Sequence, residues 1–253
     1  MRDLNWREIA LSIAKDIEKA IIPLFGMEKA GEIIRQNASG DTTEYVDKVS
    51  EDVIVSRLKP LGVNIVSEES GFINANSEFT VVVDPVDGSY NFVHGIPIFG
   101  FSMAVYRGKK PEYGMIYEFI TGNTYEAIRD AGAFLNGKRI SVSPSLPGRE
   151  TISLYSRSDV SRIIGKVKRI RVLGAIAVEL AYLARGSLNG VMDVRNYVRP
   201  TDVAAGVLLV KEAGGIIVDG EGKELNFELD PKVKLNIVAA SDETLLKKLL
   251  EDL

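Results

Sequence analysis

Apolar positions along the chain change period several times, and each change marks an element. Ile9, Ile13, Ile17 and Ile21, followed by Leu24, recur at helical spacing and predict an amphipathic helix over about 5–25. The small, polar "NASGDTT" at 37–43 reads as a loop. A second helix is expected at 44–59, with Thr43 as its N-cap and Pro60-Leu61-Gly62 as its stop. Short apolar runs then predict strands at 63–67, 79–84, 100–107 and 113–118. Further strands follow in "NTYEAIRDAGAFLNGKRI", with turns at Asp130-Ala131-Gly132 and Asn136-Gly137.

The stretch "SPSLPGRE" at 143–150 is rich in Pro, Ser and Gly and is the best internal boundary. It divides the chain into a half at 1–145 and a half at 146–253, read together as one continuous catalytic unit. Beyond it, strands are expected at 151–155 and 169–173, and "GAIAVELAYLARG" suits a helix. "PTDVAAGVLLVKEAGG" predicts a long helix over 200–215, with Pro at the start, Asp in the first turn and Gly-Gly at the end. Strands near 216–219 and 236–240 and a terminal helix complete the pattern. Helices alternating with strands in two halves indicate a layered α/β sandwich. No G-x-G-x-x-G follows a strand, which argues against a Rossmann domain.

Composition narrows the chemistry. The 253 residues are 45% hydrophobic and 26% charged, as in ordinary globular proteins, and suffice for a sizeable core. A net charge of -4 offers no general attraction to nucleic acid or to an anionic membrane. There is no cysteine and one histidine, His94, which excludes thiolate and His-cluster metal sites. Any metal must be held by oxygen, which favours Mg²⁺, Mn²⁺ or Ca²⁺. The charged amino terminus has no signal-peptide core, and no segment reaches the length of a membrane span. A cytoplasmic protein is expected.

Against that background "TVVVDPVDGSYNF" is the informative stretch. Asp84 ends an apolar strand and Asp87 follows three residues later, with Pro85 stiffening the backbone between them. Such a turn can aim both carboxylates and the Val86 carbonyl at one point. Glu68 and Glu69 also follow a predicted strand, and a sheet pairing the two strands brings these acids together. Crowded, buried carboxylates repel one another unless a cation sits among them. Gly88-Ser89 then opens a short helical segment whose free N–H groups suit an anion. Cations beside an anion-binding turn describe a phosphate-ester site. Each residue also has a plainer reading: a turn at 84–88, a solvated pair at 68–69, a surface acid at Asp47, a helix-start carboxylate at Asp202. His94 reads as a packed or capping residue.

Taken together, the "SEES" acids, "DPVDGSYNF" and "TDVAAGVLLVKEAGG" resemble the inositol monophosphatase family across nearly the whole chain. The resemblance implies an αβαβα sandwich of the inositol monophosphatase/fructose bisphosphatase type. It implies two or three Mg²⁺ ions per site, with Mn²⁺ able to replace them. Glu68, Asp84 and the Val86 carbonyl would hold the first ion, and Asp84, Asp87 and Asp202 the second. A third, weaker ion would sit near Glu68 and the loop 39–43. Asp47 and Ser89, the latter where the family usually has Thr, would orient and deprotonate the attacking water. Gly88 and Ser89 would donate backbone N–H groups to the phosphate, and the loop around Asp41 would be the mobile catalytic loop. Thr201 replaces the usual Trp before Asp202. The implied reaction is direct in-line attack by metal-bound water, without a phosphoenzyme.

Family substrates include inositol phosphates, fructose 1,6-bisphosphate and nucleotide 3'-phosphates. Inositol-preferring members carry a Glu about seven residues before the second-signature Asp. Here that position is Arg195, with Arg199 nearby and Arg171 shortly before Gly174-Ala175-Ile176. Guanidinium groups suit a second phosphate, although surface arginines are the plainer alternative. The pattern resembles archaeal members that act on both fructose 1,6-bisphosphate and inositol 1-phosphate. Gly174, Ala175 and Ile176 would then face the sugar, and Arg171 and Arg195 the distal phosphate. The alternatives are hydrolysis of adenosine 3',5'-bisphosphate and a regulatory relative that binds protein or RNA. A homodimer is the family expectation, while net charge and hydropathy leave no nucleic-acid or membrane partner expected.

Overall fold

The computed structural model describes residues 4–36, 42–251 and 253. Asp41, most of the loop around it and Ser39 lie outside the described residues. Helix α1 (Trp6–Ile21) is N-capped by Asn5 and ends in a single 3₁₀ turn, close to its predicted span. Strands β1 (Ile33–Gln36) and β2 (Thr42–Glu44) form a small antiparallel pair before α2 (Tyr45–Leu58). The cap of α2 is Glu44, in a box with Asp47, and not Thr43. The Thr43 hydroxyl donates instead to Glu69 and is consumed by that buried contact.

The first half builds an eight-stranded sheet. Its members are β3 (Asn64–Ser67), β4 (Gly71–Ile73), β5 (Phe79–Asp87), β6 (Gly100–Arg107) and β7 (Lys110–Glu118), with β8 (Thr124–Ile128), β9 (Gly132–Leu135) and β10 (Lys138–Ile140); the short α3 (Ser89–Val93) follows β5. The order is β10-β9-β8-β7-β6-β5-β3-β4, with β3 and β5 parallel. Residues 141–149 form no strand or helix. The second half contributes β11 (Thr151–Tyr155), α4 (Ser161–Lys166), β12 (Arg169–Arg171), α5 (Ile176–Ala184), β13 (Gly190–Val198) and α6 (Pro200–Glu212). It ends with β14 (Ile216–Asp219), β15 (Leu235–Ala240) and α7 (Glu243–Leu250), giving a five-stranded sheet of order β12-β11-β13-β15-β14.

Period-two alternation gives each sheet two apolar faces. Val81, Val83, Phe101 and Met103 face α1 and α2, while Val82, Ala104 and Ile116 meet Val178, Ala181 and Leu208 of α5 and α6. The opposite sides of α5 and α6, through Leu180, Leu183, Val203 and Val207, pack on Val191, Ile237 and Ala239 of the second sheet. Leu245, Leu246 and Leu249 of α7, with Ile163 of α4, cover its outer face. The layers therefore run α, β, α, β, α, as expected. Helices α5 and α6 are apolar almost all round because both their faces are covered. They also approach closely: a Cβ on Gly206 would lie 2.4 Å from Leu180 Cδ1.

Strand β13 was not foreseen, although it is central in its sheet. Its sequence, "GVMDVRNYV", is interrupted by charge, and its pairing with β15 shifts register between Asp193 and Val198. Asn196, with φ of 52°, sits in that irregularity.

Candidate active site

Parallel pairing sets Ser67 of β3 opposite Val83 of β5, so that Glu68 and Asp84 leave adjacent strand ends together. In a regular strand, residues three apart point to opposite faces. The β5–β6 register shifts between Asp84 and Asp87, adding one residue on β5, and this bulge restores the parity. Both carboxylates are thereby turned toward one cavity of 680 Å³, which is also lined by Asp47, Glu68, Ser89 and Asp202. The first turn of α6 supplies Asp202 and the first turn of α2 supplies Asp47.

Hydrogen-bond donors fix the placement of Asp84, Asp87, Asp202 and Asp47. Asp84 accepts from its own turn through the Val86 N–H at 3.0 Å, and Asp87 accepts from the Val178 N–H of α5 at 3.0 Å. Asp202 accepts the Arg199 N–H at 2.8 Å and the Thr201 hydroxyl at 3.0 Å. The residue that replaces the usual Trp thus orients the carboxylate. Asp47 accepts the Glu44 N–H at 3.0 Å. Helix capping and cavity lining coexist in Asp47 and Asp202, so the helix-start reading of Asp202 does not conflict with its place in the cavity.

Burial and mutual repulsion hold these groups far from their ordinary pKa values. Burial first, then Asp202 and other acids, pushes Glu68 up to about 8. Asp87 rises to about 8, mainly by burial, against the restraining Val178 N–H. Asp84 is raised well above the carboxylate range by burial and by Asp87, Asp202 and Glu68. Asp202 is raised as well, chiefly by burial. Asp47 rises to about 7, mainly by burial.

Among the described residues no three acidic or histidine side chains stand close enough together to form a finished ion cage. The chemistry of the set nonetheless fits a hard divalent cation. The donors are all oxygen, and their charged forms are penalised by burial and by mutual repulsion. The one described guanidinium that meets them is that of Arg199, whose Nη1 donates to Glu68 Oε1 at 2.5 Å.

Gly88 caps α3 with φ of 89°, and a Cβ there would lie 3.1 Å from the Ile98 carbonyl and 3.2 Å from that of Gly174. Only glycine fits this contact between the two halves. Gly174 and Ile176 line the cavity, whereas Ala175 is buried beneath it. Arg195 and Tyr197, from the irregular part of β13, line it too. Arg171 does not. It ends the edge strand β12, is exposed, and donates to the carbonyl of its neighbour Ile170 at 2.8 Å. His94 caps locally, its Nδ1 2.8 Å from the Tyr90 carbonyl and its ring stacked on Tyr90.

A family model described as "Inositol monophosphatase family" matches residues 4–253. The chain belongs to the inositol monophosphatase family. It is 60% identical, over 98% of its length and 97% of the relative's, to a fructose-1,6-bisphosphatase/inositol-1-monophosphatase of Thermococcus kodakarensis. It is 51% identical, over 97% of its length and 96% of the relative's, to a fructose-1,6-bisphosphatase of Pyrococcus furiosus. Among solved structures, that of an inositol monophosphatase-fructose 1,6 bisphosphatase superposes with a TM-score of 0.96 at 45% identity, covering 99% of this chain and 100% of the other. Metal dependence is general in the inositol monophosphatase family. No helix among the described residues is long and apolar enough to cross a membrane.

Three buried acids that do not line the cavity themselves were not foreseen in the sequence. Glu51 lies one helical turn beyond Asp47, is buried, and accepts from Ser67 at 2.5 Å. Its i+4 spacing from Asp47 was the available signal. Glu179, alone in an apolar helix, accepts from the Tyr155 hydroxyl at 2.7 Å. Asp193 lay in a strand that was itself unforeseen.

Proposed function

We propose that this chain is a divalent-cation-dependent phosphomonoesterase that hydrolyses both fructose 1,6-bisphosphate and inositol 1-phosphate. The observation that carries the reading is the sharing of one cavity by the acids Glu68, Asp84, Asp87 and Asp202 and by Arg195. One end of a substrate can be met by acids that gather cations and another by a guanidinium. The name of the relative in Thermococcus kodakarensis supports both substrates, and that of the relative in Pyrococcus furiosus supports fructose 1,6-bisphosphate.

Mg²⁺ is the cation in this reading, at two positions, with a third, weaker one near Glu68. Glu68, Asp84 and the Val86 carbonyl would hold the first, and Asp84, Asp87 and Asp202 the second. When bound, such ions stabilise charge on phosphoryl oxygens and on the leaving group. Asp47, at the start of α2, takes the proton of the attacking water, and Ser89 lines the same cavity. The Gly88 and Ser89 N–H groups at the start of α3 receive the phosphate. Gly174 and Ile176 border the sugar, and Arg195 meets a distal phosphate. Arg171 is left out of this set because its side chain lies outside the cavity. The enzyme is read as one catalytic unit made of both halves, cytoplasmic and homodimeric.

A regulatory relative would be expected to have lost part of the acid set, and all four acids line the cavity. The deciding assay is phosphate release with Mg²⁺ from fructose 1,6-bisphosphate, inositol 1-phosphate and adenosine 3',5'-bisphosphate. Turnover of the first two is expected. Turnover of none of the three, or of the nucleotide alone, overturns the proposal.

A further inference from the structure

Arg195 is a built arm, held on one edge and on its faces. Asp193, on the central strand β13, has a side chain with 0% exposure. A carboxylate buried that deeply is costly without a counterion. Among the described residues its cation is Arg195, two positions along the strand. Arg195 Nε lies 3.0 Å from Asp193 Oδ1 and Nη2 lies 2.5 Å from Oδ2, while the Arg195 backbone N–H adds a third bond at 3.1 Å. This is the paired fork that a guanidinium makes with a carboxylate.

Aromatic rings meet the same guanidinium, whose centre is 4.5 Å from the Tyr155 ring and 5.0 Å from the Tyr197 ring. Tyr155 is itself immobilised. Its hydroxyl donates to Glu179 at 2.7 Å and accepts the Gly174 N–H at 2.6 Å. Glu179 also accepts the Leu173 N–H at 2.7 Å. The platform under Arg195 is therefore tied to the loop that borders the cavity at Gly174.

A guanidinium has five N–H groups, and Asp193 engages Nε–H and one on Nη2. Three remain for a ligand, and the side chain is 28% exposed. We propose that Asp193 is a positioning residue for bisphosphate recognition: it holds the Arg195 guanidinium edge-on over Tyr155, so that the free N–H groups meet the second phosphate of the substrate. This rests on the reading of Arg195 given above. A long side chain without that clamp would have to be ordered by each incoming substrate. Asp193 also lowers the net charge of the arm, an effect opposite in sign. Orientation outweighs it because the arm is partly in water, where charge is screened.

The test compares Asp193→Asn, Arg195→Met, the double variant and the parent. The readout is the ratio of kcat/KM for fructose 1,6-bisphosphate to that for inositol 1-phosphate, with kcat and KM resolved. Asp193→Asn is expected to lower the ratio about tenfold through KM for the bisphosphate, a loss typical of one misplaced charge-assisted pair. The double variant should match Arg195→Met alone, because Asp193 acts only through Arg195. An unchanged or raised ratio in Asp193→Asn, beside a lowered one in Arg195→Met, overturns the positioning role and leaves the Arg195 reading standing. An unchanged ratio in Arg195→Met overturns the Arg195 reading itself. Equal loss of both activities in Asp193→Asn, or poor folding of that variant, also overturns the proposal by making Asp193 a residue of the fold.

Discussion

The Arg199 guanidinium reaches Glu68 at 2.5 Å across 131 positions of sequence, and the Arg199 backbone N–H donates to the Asp202 carboxylate at 2.8 Å. One residue thus touches two of the acids assigned to cations. A positive charge at this place competes with a divalent ion for the same carboxylates. Replacing Arg199 by Gln keeps a donor and removes the charge. The Mg²⁺ concentration for half-maximal binding, followed by calorimetry or by Mn²⁺ resonance, should fall by about tenfold, the effect of one partly screened charge at this range. A rise in that concentration would show that Arg199 organises the site more than it competes with the metal.

Asp87 contributes its carboxylate to the cavity while capping α5. Asp87→Asn retains an acceptor for the Val178 N–H but loses the charge. Turnover should drop by about three orders of magnitude, as expected when a group acting on the transition state is removed. The circular dichroism spectrum should be preserved. Substantial residual Mg²⁺-dependent turnover would remove Asp87 from the ligand set.

The acid cluster sets a pH dependence of stability for metal-free protein. Glu68 and Asp87 titrate near 8 and Asp47 near 7 in the folded chain, above the ordinary carboxylate range. Between about 4 and 8 the folded state therefore binds more protons than the unfolded state, and stability falls as pH rises through that window. In EDTA the Tm should be higher at pH 5.5 than at pH 8.5. Saturating Mg²⁺ should raise the Tm most at the alkaline end, since it replaces the lost protons. A Tm in EDTA that climbs with pH would contradict the crowded-carboxylate picture.

Gly206 lies in the interior of α6, where Ala would ordinarily favour the helix by about 1 kcal/mol. Here a Cβ would come 2.4 Å from Leu180 Cδ1 and 2.8 Å from Leu180 Cβ. Overpacking outweighs propensity, and Gly206→Ala should destabilise the protein by about 1–3 kcal/mol in denaturant unfolding. A gain in stability would mean that α5 and α6 separate at little cost.

Much of this architecture could be read from local pattern. The run Val81–Val83 before Asp84-Pro85 is short, β-branched and apolar, and it marks a buried strand ending in a turn. Pro200 and Asp202 announce the start of α6 in the same way. Asp193 and Arg195 hid β13 because their charges satisfy each other in space, a compensation that sequence periodicity does not register. Glu51 and Glu179 were passed over for a similar reason, since their burial depends on Ser67 and Tyr155 from other elements. The bulge that brings Asp84 and Asp87 to one side depends on the register with β6, which no local rule supplies. Arg171 shows the converse: proximity in sequence to Gly174 suggested a shared site, yet Arg171, exposed at the end of the edge strand β12, does not line the cavity.

The middle layer has a consequence for how the protein fails. Asp202 rides on α6, Asp87 is tied to α5, and both helices are covered by a sheet on either side. These two acids therefore stand on the most enclosed part of the molecule, and local breathing does not release them. Amide protons of α5 and α6 should be among the last to exchange with solvent, at a free energy close to that of complete unfolding. Heat inactivation of such an enzyme follows melting of the whole molecule, with no earlier stage in which an intact shell surrounds a dismantled site.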